Sequence, residues 1–293
     1  WIGNDPSSTT DNALNSVAFG KTALDAITTG DYNTAFGYDA LTNQTTGNNN
    51  VAIGYEALRD NSTTSQNVAI GMSALQESNA AGNVAIGANA MRGTTNTAIT
   101  GGENVAVGSS ALKLNIGGAS NTAIGKASMG NNTDGNYNVA VGKGSLNDNT
   151  DGSNNTTIGY LSANTGTNDI TTGENNTLIG ASTAASAAAG TNQTVIGYGS
   201  SGQANNSVTL GNADVTAVYM AQDAGATVYA AGMVLGGTSV TSTAAEINII
   251  DGGTSATSTT IVAADRVVLN DDGTMKQVAM SDLATYVGSI SSL

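Results

Sequence analysis

The 293-residue sequence predicts an all-β protein: a parallel β-roll, or β-solenoid, of ~17-residue coils, followed by a small β-rich C-terminal module with short helices. Three observations carry this. A phrase of the type Asn-Val-Ala-Ile-Gly recurs through the first 211 residues. Inside the phrase, residue types alternate with the two-residue period of a strand. The composition is rich in turn formers, with 38 Gly and only 10% charged residues, against roughly 25% in an average globular protein.

The repeat is aligned on the glycine that closes each phrase: Gly3, Gly20, Gly37, Gly54, Gly71, Gly87, Gly108, Gly125, Gly142, Gly159, Gly180, Gly197 and Gly211. Eight of the twelve intervals are 17 residues, which fixes the coil length; the two of 21 read as four-residue loop insertions, as in TNTAIT at 95–100. A unit of this size cannot bury a core alone but can when stacked on its neighbours. About twelve coils at one strand spacing give a rod of roughly 55–60 Å.

Each column of the repeat has a reading. The residue before the glycine is always apolar, from Ile2 and Phe19 to Ile196 and Leu210, and the residue three before it is Val or Thr, from Val17 to Val208. The β-branched types suit a strand, and the two columns share one of its faces, which we expect to point inward. A second apolar column, Leu24, Leu41, Leu58, Leu75, Met91, Leu112, Met129 and Leu146, is expected on a second short strand. Segments such as TTGDYN at 28–33 form the turns. Asn33, Asn50, Asn67, Asn83, Asn104, Asn121, Asn138, Asn155 and Asn176 stand four before the glycine, where stacked amides can hydrogen-bond as a structural ladder.

Between the two apolar columns lie Ala18, Ala35, Ala52, Ala69, Ala85, Ala106, Ala123 and Ala140, then Thr157, Leu178, Val195 and Thr209. With the Val/Ile face inward, these would face outward. Ala has low β-propensity, so a run of it argues for close packing against something, and the simplest candidate is another copy of the chain. The eight alanines are therefore candidate oligomer-interface residues of a rod assigned threefold symmetry; the residues themselves specify only an oligomer.

Three regions follow from this: a repeat rod over 1–211, a connector with strands and a short helix over 212–262, and a β-hairpin plus short helix over 263–293. Strands are expected at 215–220, 226–235 and 265–280, the last folded about the turn Asn270-Asp271-Asp272-Gly273. Thr243-Ala244-Ala245-Glu246 matches a capping box, and Ser281 can cap a helix through DLATYV. Gly3 stands in register 17 residues before Gly20, so we expect the first coil to begin upstream of Trp1; a further domain after Leu293 is an equal expectation.

The chemistry points away from catalysis. There is no Cys and no His, so thiolate nucleophiles, disulfides and the commonest general base and metal ligand are missing. Carboxylates such as Asp31, Asp60, Asp134, Asp148, Asp151, Asp169 and Glu174 fall in turns, and a solvated role is favoured over a glycosidase pair. NDNTDGSNN at 147–155 lacks the spacing to a final Glu that a calcium loop needs and is read as a turn, so no metal, cofactor or catalytic residue is assigned. The net charge of −14, with both 1–211 and 212–293 acidic, argues against nucleic acid, and the lack of a long apolar run against membrane insertion. Tyr38 and Tyr55, one coil apart just after the glycine, form a possible glycan contact; packing against each other is the plainer reading.

The phrases NVAIG, NTAFG and NSVTLG, with a small residue three after the glycine, resemble the head repeats of trimeric autotransporter adhesins. That resemblance covers 1–211 and implies a trimer of left-handed parallel β-rolls. The 17-residue period is more similar to repeat arrays in tail fibres of marine bacteriophages, and TSTAAEINIIDG and ADRVVLNDDGTMKQVAMSDLATYV are similar to C-terminal parts of such fibres, especially cyanophage ones. The resemblance implies a non-enzymatic, extracellular virion tail-fibre segment that gives reach and host attachment. Its partners would be itself as a homotrimer, other virion tail proteins and a host-surface glycan or protein. A bacterial surface adhesin of the autotransporter type and a polysaccharide-degrading tailspike are the alternatives.

Overall fold

The computed structural model describes residues 15–94, 97–220, 230, 233–235, 238–240, 260–271 and 274–290. Gly3 and the capping-box segment at 243–246 lie outside the described residues. The chain divides into two compact units, Trp1–Tyr219 and Met220–Leu293.

The first unit is a parallel β-solenoid. Its twelve strands are β1 (Val17–Phe19), β2 (Thr34–Phe36), β3 (Val51–Ile53), β4 (Val68–Ile70), β5 (Val84–Ile86), β6 (Val105–Val107), β7 (Thr122–Ile124), β8 (Val139–Val141), β9 (Thr156–Ile158), β10 (Thr177–Ile179), β11 (Gln193–Ile196) and β12 (Ser207–Leu210). They form one sheet in strict chain order. Every pairing is parallel and in phrase register, so Val17 faces Thr34, Ala18 faces Ala35 and Phe19 faces Phe36. About eleven coils of ~17 residues separate the first strand from the last.

The closing glycines set the stacking. From Gly20 to Gly197 they have φ between +128° and +143°, a region that side chains rarely adopt. They also leave no room: a Cβ on Gly54 would lie 2.6 Å from the Gly71 carbonyl oxygen, and one on Gly71 would lie 2.7 Å from the Gly87 carbonyl carbon. The backbone of one coil thus rests directly on that of the next.

No second strand follows. Residues 21–26 and their equivalents are turns, and the Leu column sits there with left-handed backbone, Leu24 at φ +54°, Leu41 at +52° and Leu58 at +52°. The expected strand is replaced because alternate residues in this segment, such as Thr22 and Leu24, have positive φ. The segments still stack by backbone hydrogen bonds, with Leu24 N–H donating to the Ala40 carbonyl (3.1 Å) and Leu58 N–H to that of Ala74 (3.0 Å).

The core reverses the expected faces. The strand residue between the two apolar columns is buried and its neighbours are not; the pattern in β3 is half-buried Val51, buried Ala52, exposed Ile53. Ala18, Ala35, Ala52, Ala69, Ala85, Ala106, Ala123 and Ala140 are at most 2% exposed within a single chain. Their assignment to an oligomer interface is therefore corrected: they line the interior of their own roll. The physical reason is its width. Facing residues such as Ala40 and Ala57, three after the glycine, are also small and fully buried, and each Leu of the turn column fills the remaining space. The interior has no room for a second row of Ile.

Volume is conserved where the pattern changes. At the C-terminal end the Leu column becomes Ala163, and the strand column becomes Leu178 and Val195, all fully buried. Where the strand residue is Thr157, Ser145 lies 2.8 Å from its hydroxyl and satisfies it.

The four-residue insertions differ. In the first, Ile99 is fully buried and bridges to Ser78 in the coil below, so part of the segment rejoins the stack. In the second, residues 165–169 form an exposed loop held by Asp169, whose carboxylate accepts from the N–H of Thr165 (2.5 Å) and Gly166 (3.0 Å).

Beyond β12 the expected strand at 215–220 is absent. The second unit contains a short antiparallel pair, β13 (Met233–Leu235) with β14 (Thr238–Val240). It also holds the expected hairpin, β15 (Arg266–Asp271) with β16 (Thr274–Ala279), followed directly by helix α1 (Met280–Ile290). The helix starts one residue before Ser281, which lies inside it rather than capping it; the Met280 N–H instead donates to the Asp265 carbonyl (2.9 Å).

Gly125→Ala should lower stability by at least about 3 kcal/mol, since it combines a positive φ with a backbone clash. Gly166→Ala, where a Cβ meets nothing within 4 Å, should cost about 1 kcal/mol. Thermal unfolding of the two variants checks this, and equal losses would contradict the stacking account. Leu178→Ala should cost about 2–5 kcal/mol in the same measurement, because nothing can collapse into the space.

Candidate functional site

Three features of the roll are candidates: the buried amide columns inside, a Tyr38–Tyr55 stack beside the glycines, and the outward Val/Ile face of the sheet.

The first amide column is Asn33, Asn50, Asn67, Asn83, Asn104, Asn121, Asn138, Asn155 and Asn176, each at most 1% exposed. Its main contact is side chain to backbone. Each Oδ1 accepts the backbone N–H of the next Asn, as from Asn50 to Asn33 (3.0 Å) and from Asn138 to Asn121 (2.9 Å). The Nδ2 groups reach across to turn carbonyls, as Asn121 does to Gly135 (2.8 Å) and Asn138 to Gly152 (2.8 Å), except at Asn67, where the Thr64 hydroxyl takes that place (3.2 Å). Direct amide pairs add to this, such as Asn121 Nδ2 to Asn104 Oδ1 (3.1 Å). The left-handed residue before each Asn, such as Tyr32 at φ +58° and Tyr137 at +57°, turns the chain into the strand.

Sequence reasoning missed a second buried column, ten residues before the closing glycine: Gln44, Asn61, Asn115, Asn132 and Asn149. Here three of the amides donate to the amide of the coil below. Asn61 Nδ2 bonds Gln44 Oε1, Asn132 Nδ2 bonds Asn115 Oδ1, and Asn149 Nδ2 bonds Asn132 Oδ1, all at 2.7 Å. The recurrence of Asn at this offset was the available signal. Two buried side-chain atoms of the described residues have no partner, Gln44 Nε2 and Asn149 Oδ1. The column runs in two segments, Gln44 to Asn61 and Asn115 to Asn149, and these atoms are the donor at the lower end of the first and the acceptor at the upper end of the second; at the inner ends Asn61 Oδ1 accepts the Thr64 N–H (3.2 Å) and Asn115 Nδ2 donates to the Gly118 carbonyl (2.7 Å). The same column holds buried Ile27 in the coil before Gln44 and buried Ile170 in the coil after Asn149, and neither can complete the chain.

On the surface, the Tyr38 and Tyr55 rings stack with centroids 5.5 Å apart and an interplanar angle of 10°. The Lys21 ammonium lies 5.9 Å from the Tyr38 centroid. The stack runs along the coil direction, so Tyr38 is covered by its neighbours and offers a ligand its edge and hydroxyl rather than its face. Glu56, through its hydrogen bond and then its charge, raises the Tyr55 pKa above the ordinary tyrosine value. Beside the pair, Arg59 bridges Glu56 (3.3 Å) and Asp60 (2.6 Å). Burial, and then the Asp60 charge, push the Glu77 carboxyl upward.

The third feature is the outward sheet face. Phe19, Phe36, Ile53, Ile86, Ile124, Ile158, Ile179, Ile196 and Leu210 are between 37% and 53% exposed. Phe19 and Phe36 stack with centroids 4.8 Å apart. No charged residue stands in this column or in the Val/Thr column beside it. At roughly 53 Å by 10 Å from strand geometry, the face covers about 500 Å², at the upper end of the patches that monomers leave exposed.

Among the described residues no group of three or more His, Cys, Asp or Glu is placed to hold a metal ion, and no helix is long and apolar enough to cross a membrane. No protein-family model matches this chain, and no curated protein matches its sequence.

Asn121→Leu should cost about 2–4 kcal/mol, because it strips the buried Asn138 N–H of its partner and leaves the Gly135 carbonyl with Asn132 alone (3.1 Å). Exposed Asn131→Leu should fall within about 0.5 kcal/mol of the parent. Chemical denaturation of both variants gives the comparison, and an Asn121→Leu protein as stable as the parent would remove the ladder from the account.

Proposed function

We propose that this chain is an extracellular segment of a virion tail fibre: a homotrimeric, non-enzymatic rod that gives reach and carries attachment to a host surface. The observation that supports it most directly is the unpartnered apolar face along all twelve strands. Water-exposed Phe, Ile and Val at every coil are costly unless covered, and a repeating, uncharged stripe is complementary to itself. Copies laid side by side in the same direction would bury Ile against Ile at each level. The oligomer interface thus moves from the alanines to the Val/Ile face.

A stack of identical coils supplies length, and three copies of one chain supply three equal surfaces whose weak contacts act together. A glycan or protein on the host and other tail proteins of the virion are the partners this reading implies. The hairpin and helix after the roll, similar in sequence to phage-fibre C-terminal parts, favour the fibre over the surface-adhesin alternative.

Native mass spectrometry should show three 28.9 kDa chains per particle at micromolar concentration. Ile124→Asp with Ile158→Asp should shift the population to monomer, while Ala-to-Ser changes inside the roll should not. A parent chain that stays monomeric would refute the assembly, and release of sugars from a bacterial surface polysaccharide would refute the non-enzymatic reading.

A further inference from the structure

The second unit carries an unsatisfied surface of its own. An isolated hairpin is marginal in water, and so is an 11-residue helix. Together they bury very little: Ala279 is the one residue among the described part of this unit below 9% exposure. Val287 is 56% exposed and Ile290 50%.

The helix pattern indicates what covers it. Met280, Leu283, Val287 and Ile290 follow at intervals of 3, 4 and 3, the spacing of a coiled-coil seam. The flanking positions Ala284 and Tyr286 carry no charge, so identical parallel copies would meet without repulsion. The seam is also short. Four side chains bury far less than the roughly 1,200 Å² that a stable interface between free partners needs. A separate protein could not be held by it, whereas copies already gathered by their rolls are presented at about millimolar effective concentration.

We infer that helix α1 is a self-association seam, in which Met280, Leu283, Val287 and Ile290 pack against the same residues of other copies of this chain. The hairpin β15–β16 is its brace, tied on by the bond from Met280 to Asp265. This rests on the homo-oligomeric rod proposed above. Its consequence is a second, C-terminal clamp that locks the copies in register, since one helix turn of slippage would break the seam.

The chain contains no Cys, which makes site-specific crosslinking clean. In the full chain, single variants Val287→Cys (seam), Thr285→Cys (opposite helix face) and Ile124→Cys (roll face) are treated with a short bis-maleimide and resolved on denaturing gels. Val287→Cys should form interchain products at least tenfold faster than Thr285→Cys. Adding Leu283→Asp should abolish that difference while leaving Ile124→Cys coupling unchanged. Coupling at Ile124 with none at Val287 above the Thr285 background overturns the seam and leaves the rod standing. Coupling at neither site overturns both, and coupling at Val287 alone refutes assembly through the roll and, with it, a seam held by copies the rolls have gathered.

Discussion

The structure depends on coils that rest backbone to backbone at the closing glycine. With φ near +135° and no space for a Cβ, each glycine fixes both the direction of the turn and the height of the next coil. Once that height is one strand spacing, every column must lie against its own kind. Asn stacks on Asn, Ala on Ala, Leu on Leu, and Phe19 on Phe36. A repeat protein built this way has its interactions decided by columns rather than by individual contacts.

That constraint explains why so polar a chain can be buried. The strand N–H groups bond carbonyls of the neighbouring coil, but turn carbonyls and the N–H just before each strand lie buried and would be unsatisfied without side chains to meet them. The first Asn column meets both sets at once, and the second passes hydrogen bonds from coil to coil in a single direction. A directional chain must end on one unused donor and one unused acceptor unless something caps it. Gln44 Nε2 and Asn149 Oδ1 are the outer, uncapped ends of a column in two segments, with Ile27 and Ile170 in the adjoining coils, whereas the inner ends at Asn61 and Asn115 are capped by the Thr64 N–H and the Gly118 carbonyl. The uncapped ends are the price of starting and stopping the column.

The outward surfaces share a shortage of burial. The roll fills its interior mainly with Ala, Ser, Leu and Asn and leaves the Ile, Val and Phe that flank the central strand column half-buried or in water, and the described residues of the hairpin–helix unit enclose almost nothing. Both observations support the proposed assembly from copies of one chain. In that reading the largest apolar side chains serve contacts between copies, while the smallest serve contacts within one.

Much of this was legible in the sequence. The period, the glycine register, the positions of the roll's twelve strands, the Asn column and the C-terminal hairpin follow from spacing and residue type alone, because stacking forces the pattern to recur. Strand alternation in Val-Ala-Ile also separates two faces, but it does not say which is inside. The small residues at Ala40 and Ala57 hinted at a narrow interior, yet only closure of the coil shows that Ala52 fits there and Ile53 does not. The Leu column likewise read as a strand, and only the three-dimensional path revealed left-handed turns, since φ at Leu24 or Leu58 is set by coil closure and not by leucine's own preference. The sequence by itself determined the repeat and what stacks on what; the tertiary structure decided which face is the core, because that depends on the width left between opposite walls of the roll.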